Sequence, residues 1–159
     1  MTDQTLVTDQ TLAVEKPQPQ GIGGWLLLLA IGLCLTPIRT LIELGRSAEE
    51  YGRVWDMANG KALVVAELSI NLVLLVLQVV TAVALLNKQK RFRALFAWLW
   101  IAAVLLPVLN VVLIFSLFPQ IPADSLAGEI GRAGITFVVM GLWVWYVMVS
   151  KRVANTCTN

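Results

Sequence analysis

The sequence predicts an all-α polytopic membrane protein, a bundle of four transmembrane helices with a short interfacial helix in the first outer loop. Three observations predict it. Of 159 residues, 58% are hydrophobic and 14% charged, with a mean hydropathy of +0.77, whereas a soluble domain is about half apolar and a quarter charged. Four apolar segments are each long enough to cross a hydrocarbon core about 30 Å thick, which takes about 20 residues at 1.5 Å each. The polar chain between them is too short for a separate soluble module, which leaves one membrane domain over residues 21–156 between tails at 1–20 and 157–159.

Residues 1–20 are polar, carry a near-duplicate (Thr2-Asp3-Gln4-Thr5-Leu6-Val7, then Thr8-Asp9-Gln10-Thr11-Leu12-Ala13-Val14) and end in Pro17 and Pro19. Such a segment buries too little apolar area to order itself and is expected to be a disordered cytoplasmic tail, a dispensable linker more than a binding element. Helix one is expected over 22–44. Its long, nearly neutral leader is unlike the basic n-region and short core of a cleaved signal peptide, so helix one is expected to remain in the mature protein.

Ser47-Ala48-Glu49-Glu50 has the spacing of a capping box, and Asn59-Gly60 supplies a stop. The short helix between them sets Tyr51, Val54, Trp55 and Ala58 on one face and Glu49, Arg53 and Asp56 around the other. This is the pattern of a helix lying among lipid headgroups. Helices two, three and four are expected over 62–86, 94–118 and 130–149.

Orientation follows from charge. The connection Asn87-Lys88-Gln89-Lys90-Arg91-Phe92-Arg93 has four basic residues and no acid, which places it in the cytoplasm. Both termini then face the cytoplasm too, consistent with Lys151 and Arg152 after helix four, while Arg46, Arg53 and Lys61 on the other side are balanced by acids. Trp25, Trp98, Trp100, Trp143, Trp145 and Tyr146 fall towards the cytoplasmic helix ends as an aromatic belt would, with Trp55 marking the other side.

Composition excludes several classes of function. A net charge of +2 provides no broad field for nucleic acid. The chain has no histidine, which removes the commonest general base, metal ligand and pH switch. Cys34 and Cys157 are poorly placed to bridge and form no metal or redox pair, so both are expected to be free thiols. Gly21, Gly23 and Gly24 follow no strand and precede no Lys-Ser or Lys-Thr, so they are not a phosphate loop. No nucleophile, base and orienting group can be assembled, so no enzymatic activity, cofactor or metal ion is expected.

Polar groups inside spanning helices are costly and therefore informative. At 100° per residue, Asn71, Gln78 and Thr81 lie about 40°, 20° and −40° from Glu67, forming one stripe that should face the bundle interior. Counting along the helices puts Arg39, Glu67 and Asn110 at similar depths in the outer half of the bilayer, with Arg132 somewhat higher. The expectation is a polar cluster of Arg39, Glu67, Asn71, Gln78, Asn110 and Arg132, with Glu67 paired to Arg39 or Arg132, acting as glue between helices more than as an ion or proton site. Pro37 and Pro107 free the carbonyls of Leu33 and Ala103, and kinks there could open a cavity beside the cluster. Gly134 and Gly141 share a face of helix four where a neighbour could approach closely. Lys88, Lys90, Arg91, Arg93, Lys151 and Arg152 set orientation or attract anionic headgroups.

The opening Gly23-Gly24-Trp25-Leu26-Leu27-Leu28, the Pro37-Ile38-Arg39 of helix one, Glu67 followed by Asn71, and Trp145-Tyr146 followed by Ser150-Lys151-Arg152-Val153-Ala154-Asn155-Thr156 together resemble a bacterial inner-membrane family catalogued as domain of unknown function 2569. The resemblance covers residues 21–156, and Cys157 stands where members of that family commonly continue with an aromatic. It implies four helices in the bacterial inner membrane and no established activity. The function expected is that of a non-enzymatic accessory component that binds a membrane partner or itself, protection against a membrane-acting toxin being one form. The alternative is a small oligomeric channel or transporter around Glu67, Asn71 and Asn110.

Overall fold

The computed structural model describes residues 21–119 and 127–158, so the tail expected over 1–20 lies outside the described residues. Helix α1 (Trp25–Arg46) is followed by α2 (Ala48–Trp55), α3 (Gly60–Leu86), α4 (Phe92–Leu117), α5 (Ala127–Val149) and α6 (Lys151–Thr156). Four of them, α1, α3, α4 and α5, are long and apolar enough to cross a membrane. The protein is therefore a multi-pass, all-α membrane bundle, as its hydropathy requires.

Helix α1 starts three residues later than the apolar run because Gly21 and Gly24 take positive φ, 88° and 58°. At the other end the expected capping box does not form. Ser47 is itself helical, its amide already bonds the Glu43 carbonyl (3.0 Å) and its hydroxyl donates to the same oxygen (3.2 Å). The Tyr51 amide then donates to the Ser47 carbonyl at 2.9 Å. With the Ser47 amide and hydroxyl both turned back to the Glu43 carbonyl, neither is left for a capping box with Glu50.

The return from α2 to α3 turns on Asn59, in the left-handed region at φ 64°, and on Gly60. A Cβ on Gly60 would sit 1.7 Å from the Val54 carbonyl oxygen, so the approach of α2 to the start of α3 requires glycine. Between α3 and α4 the chain closes with Lys88 at φ 54°, the Gln89 amide on the Ala84 carbonyl (2.8 Å) and the Lys88 amide on the Leu85 carbonyl (3.0 Å). This is a Schellman ending with lysine where glycine is usual.

Packing is sequential and antiparallel: α1 lies on α3, α3 on α4 and α4 on α5, with α2 folded against α3. Along most of their length α1 and α5 make no comparable contact. Buried side chains gather at the end of the bundle that holds the α3–α4 turn and both described termini. Phe92, Phe96, Leu26, Leu85, Val147 and Val153 are its most enclosed members. That end is called here the basic end, because Lys88, Lys90, Arg91, Arg93, Lys151 and Arg152 all lie there.

The aromatic belt is only partly reproduced. Trp25, Trp98 and Trp145 are outward and exposed. Trp100, Trp143 and Tyr146 turn inward: Trp100 packs on Phe137 (5.2 Å between rings) and its indole N–H donates to the Phe137 carbonyl (3.2 Å), while Trp143 contacts both Trp25 and Tyr146. The ring of Trp100 also lies 3.7 Å from where a Gly141 Cβ would be, so Gly141 does permit close approach, whereas Gly134 faces open space. Cys34 and Cys157 are both free thiols.

Candidate functional site

The polar stripe of α3 is met by hydroxyls from the α1–α2 arm. The Thr40 hydroxyl donates to Gln78 Oε1 (3.2 Å), and the Tyr51 hydroxyl donates to Glu67 Oε1 (3.1 Å). From Thr40 to Tyr51 is eleven residues, and from Gln78 back to Glu67 is eleven. The α1–α2 arm climbs one way while α3 descends the other, and equal steps keep the two pairs in register. Burial and the Glu67 carboxylate together push the Tyr51 phenol up to about 12. Tyr51 is one of the partners of Glu67. Thr81, on the same stripe, is fully buried and donates to the Leu77 carbonyl at 2.7 Å.

This register corrects the depths counted from the sequence. Thr40 meets Gln78, so Arg39 lies near the level of Gln78, and Glu67 is about 16 Å farther along α3. Counting from the helix starts ignored how far one helix slides past the next. Arg39 instead pairs with Glu43, one turn on in its own helix, with Nε to Oε1 at 2.8 Å and the side chains 79% and 56% exposed. The Asn71 amide donates to the Glu67 backbone carbonyl at 3.0 Å. Asn110 Oδ1 is buried without a hydrogen-bond partner among the described residues, and Arg132 is exposed on α5. Of the expected cluster, Arg39 and Gln78 therefore share one level and Glu67 and Asn71 another, so Arg39 is not the partner of Glu67. Thr40 and Tyr51 are the partners missed by sequence reasoning. Their spacing, equal to that of Glu67 and Gln78, was the available signal.

A cavity of about 450 Å³ lies between α1, α3, α4 and α5 on the basic-end side of Gln78. Leu33 and Ala103, whose carbonyls Pro37 and Pro107 free, both line it. The expectation of a void near the prolines is met, but Thr36 and Gln78 border it, not Glu67. Its wall is otherwise apolar, with Leu28, Phe96, Met140 and Trp143 prominent. The two polar groups have local partners: Thr36 donates to the Gly32 carbonyl (2.7 Å) and Gln78 accepts from Thr40.

Below the cavity the two described ends of the chain clasp one another. Ser150 caps α6 by accepting from the Val153 amide (3.4 Å), which turns the chain back under the bundle. The Thr156 hydroxyl then accepts from the Gly21 amide at 3.0 Å and reaches the Gly21 carbonyl at 3.4 Å. Val153, Thr156 and Cys157 are buried there, so Cys157, expected in a loose tail, belongs to the packed end. Burial pushes the Cys157 thiol up, while the nearby Arg93 charge opposes the shift. An Arg152 nitrogen comes so close to Gly23 and Gly24 that a Cβ would lie 3.4 and 3.0 Å from it. Arg93 donates to the Met148 carbonyl, a cation at the C-terminal end of α5 where the helix dipole favours it.

The sequence signatures at the two ends, Gly-Gly-Trp and Ser-Lys-Arg-Val-x-Asn-Thr, therefore describe one physical object, with the glycines leaving room for Arg152 and the threonine fastening Gly21. No curated protein and no solved structure matches the chain. The family described as Protein of unknown function (DUF2569) matches residues 19–158, a span that contains all four crossing helices and both halves of the clasp, and the chain belongs to that family.

Proposed function

We propose that the chain is a non-enzymatic accessory protein of the bacterial inner membrane, with both termini in the cytoplasm, that assembles with another membrane protein through the outer face of α1. The observation that carries this is the Arg39–Glu43 ion pair, exposed on a helix long and apolar enough to cross the membrane. Gln78, which fixes its level through Thr40, lies about 12 Å from the basic end of α3, so the pair sits towards the middle of a core about 30 Å thick. Charged groups at such depth normally face protein or water, because acyl chains leave them unsolvated. A partner helix offering polar groups would cover the pair together with the neighbouring exposed Leu35, Ile38 and Ile42. A membrane-acting toxin is one such partner, which a protection assay in cells with and without the protein tests.

A photocrosslinking residue at Ile42 in native membranes is expected to give one discrete heteromeric adduct, lost in Arg39→Gln/Glu43→Gln. Adducts with lipid alone would overturn the proposal. Asn110 Oδ1, buried without a hydrogen-bond partner among the described residues, favours a second reading, an oligomeric channel or transporter. That reading requires self-adducts, and flux in proteoliposomes that Glu67→Gln abolishes.

A further inference from the structure

We infer that the cavity between α1 and α5 holds one acyl chain of an anionic phospholipid, whose headgroup is bound at the basic end by Arg152. This is separate from the α1 partner site by level along the helix: the cavity takes α1 residues from Leu28 to Thr36, and the ion pair lies farther along, at Arg39 and Glu43.

Size and chemistry define the occupant. Dry apolar cavities of about 150 Å³ take up benzene, six carbons. The present volume of about 450 Å³ has room, by that ratio, for roughly eighteen carbons in an extended or folded chain. The Thr36 hydroxyl and Gln78 Oε1 already have partners, and the rest of the wall is almost wholly apolar, so it makes little demand for polar groups on the ligand. Its lining residues on α4 run from Phe96 to Ala103, about 6 to 17 Å above the start of that helix. The cavity thus occupies the depth of a single leaflet, the one whose headgroups lie at the basic end.

Access and charge agree with this. Since α1 and α5 do not pack along their length, the cavity can be entered sideways from lipid. Its foot is marked by the Trp25–Trp143 pair, 6.2 Å between rings, at the depth where indoles favour the interface. Directly beneath, Arg152 lies against Gly23 and Gly24. Lys151 is exposed beside it, and no carboxylate among the described residues is found at that end. A half-exposed guanidinium with no acid nearby, placed under an apolar slot one leaflet deep, is complementary to a phosphate on an acyl chain.

The test reconstitutes the full chain in vesicles containing a trace of phosphatidylglycerol or phosphatidylcholine with a photoactivatable acyl chain, then maps adducts by mass spectrometry. Adducts are expected on Leu28 and Val139 severalfold above those on the outward Val76 and Leu109, and severalfold more with phosphatidylglycerol. Arg152→Gln is expected to remove the headgroup preference while leaving adducts in place. Gly32 faces open space and lines the cavity, so Gly32→Leu fills the slot and is expected to lower adducts at Val139 severalfold. Equal labelling of cavity and outward positions in the wild-type chain would mean bulk lipid only and overturn the site. Equal labelling by the two headgroups would overturn the role of Arg152, and neither comparison depends on a variant folding.

Discussion

Replacing Thr156 by valine tests the clasp that joins the two ends of the chain. Valine keeps the shape but removes the hydroxyl that accepts from the Gly21 amide at 3.0 Å and reaches its carbonyl at 3.4 Å. Thr156 is 4% exposed, so little water replaces what is lost. One good hydrogen bond, one long one and a part-buried amide left unmatched together amount to about 2 kcal/mol, roughly a thirtyfold rise in the population of the opened clasp. The adjacent Cys157 reports on that opening, because its thiol is 5% exposed and burial also pushes its pKa up, both of which slow alkylation in the closed state. In a Cys34→Ser background, Thr156→Val should therefore be alkylated at Cys157 roughly thirtyfold faster than the parent, and Thr156→Ser, which keeps the hydroxyl, close to the parent rate. Equal rates for the valine and serine variants would refute the assignment of the clasp to this hydroxyl.

Two further outcomes follow from the end of the bundle opposite the basic end. Gly60→Ala must displace α2, since the new methyl would lie 1.7 Å from the Val54 carbonyl oxygen; faster hydrogen exchange across residues 51–57, with α4 and α5 unchanged, is the expected result. Tyr51, pushed up to about 12 from an ordinary 10.0, keeps its proton when docked and gives it up more readily when free. The docking stability it contributes is thus complete below about pH 10 and disappears as pH rises towards 12. In a Tyr146→Phe background, tyrosinate absorbance should appear late and together with release of α2, and Tyr51→Phe should lack that alkaline step.

Much of the fold was legible because one force dominates it. Apolar runs that must leave water, and backbone amides that must bond within their own segment, define four crossing helices with little contribution from tertiary detail. Boundaries were misplaced where local chemistry had two solutions. Ser47-Ala48-Glu49-Glu50 satisfies the rule for starting a helix, but the last turn of α1 takes the Ser47 amide and hydroxyl first, both on the Glu43 carbonyl. Ser150 also follows a helix and its amide also bonds back, to Tyr146 at 2.9 Å, but its ψ of 117° leaves the helical region and its hydroxyl accepts from the Val153 amide to start α6, an element the sequence reading did not anticipate. Both serines follow a helix, and they differ in whether the serine backbone itself stays helical, with ψ −7° at Ser47, or turns out of it, with ψ 117° at Ser150.

The candidate site was harder to read because its geometry depends on sliding between helices, a quantity absent from any single helix. Angular position on α3 was recoverable: Glu67 and Gln78 do face a neighbouring arm, and Thr81 is buried. Axial position was not, since apolar helices pack at many offsets with similar surface burial. The offset is selected instead by the few contacts that are costly to leave unmade, and in this chain two hydroxyl donors meet two side-chain acceptors at matching eleven-residue intervals. Any slide of α1 past α3 breaks the Thr40–Gln78 and Tyr51–Glu67 bonds together. The same offset moves Arg39 away from Glu67, and the ion pair it makes is with Glu43 of its own helix. The arrangement that satisfies the interior is therefore what leaves a charged pair exposed, the feature on which the proposed partner face rests.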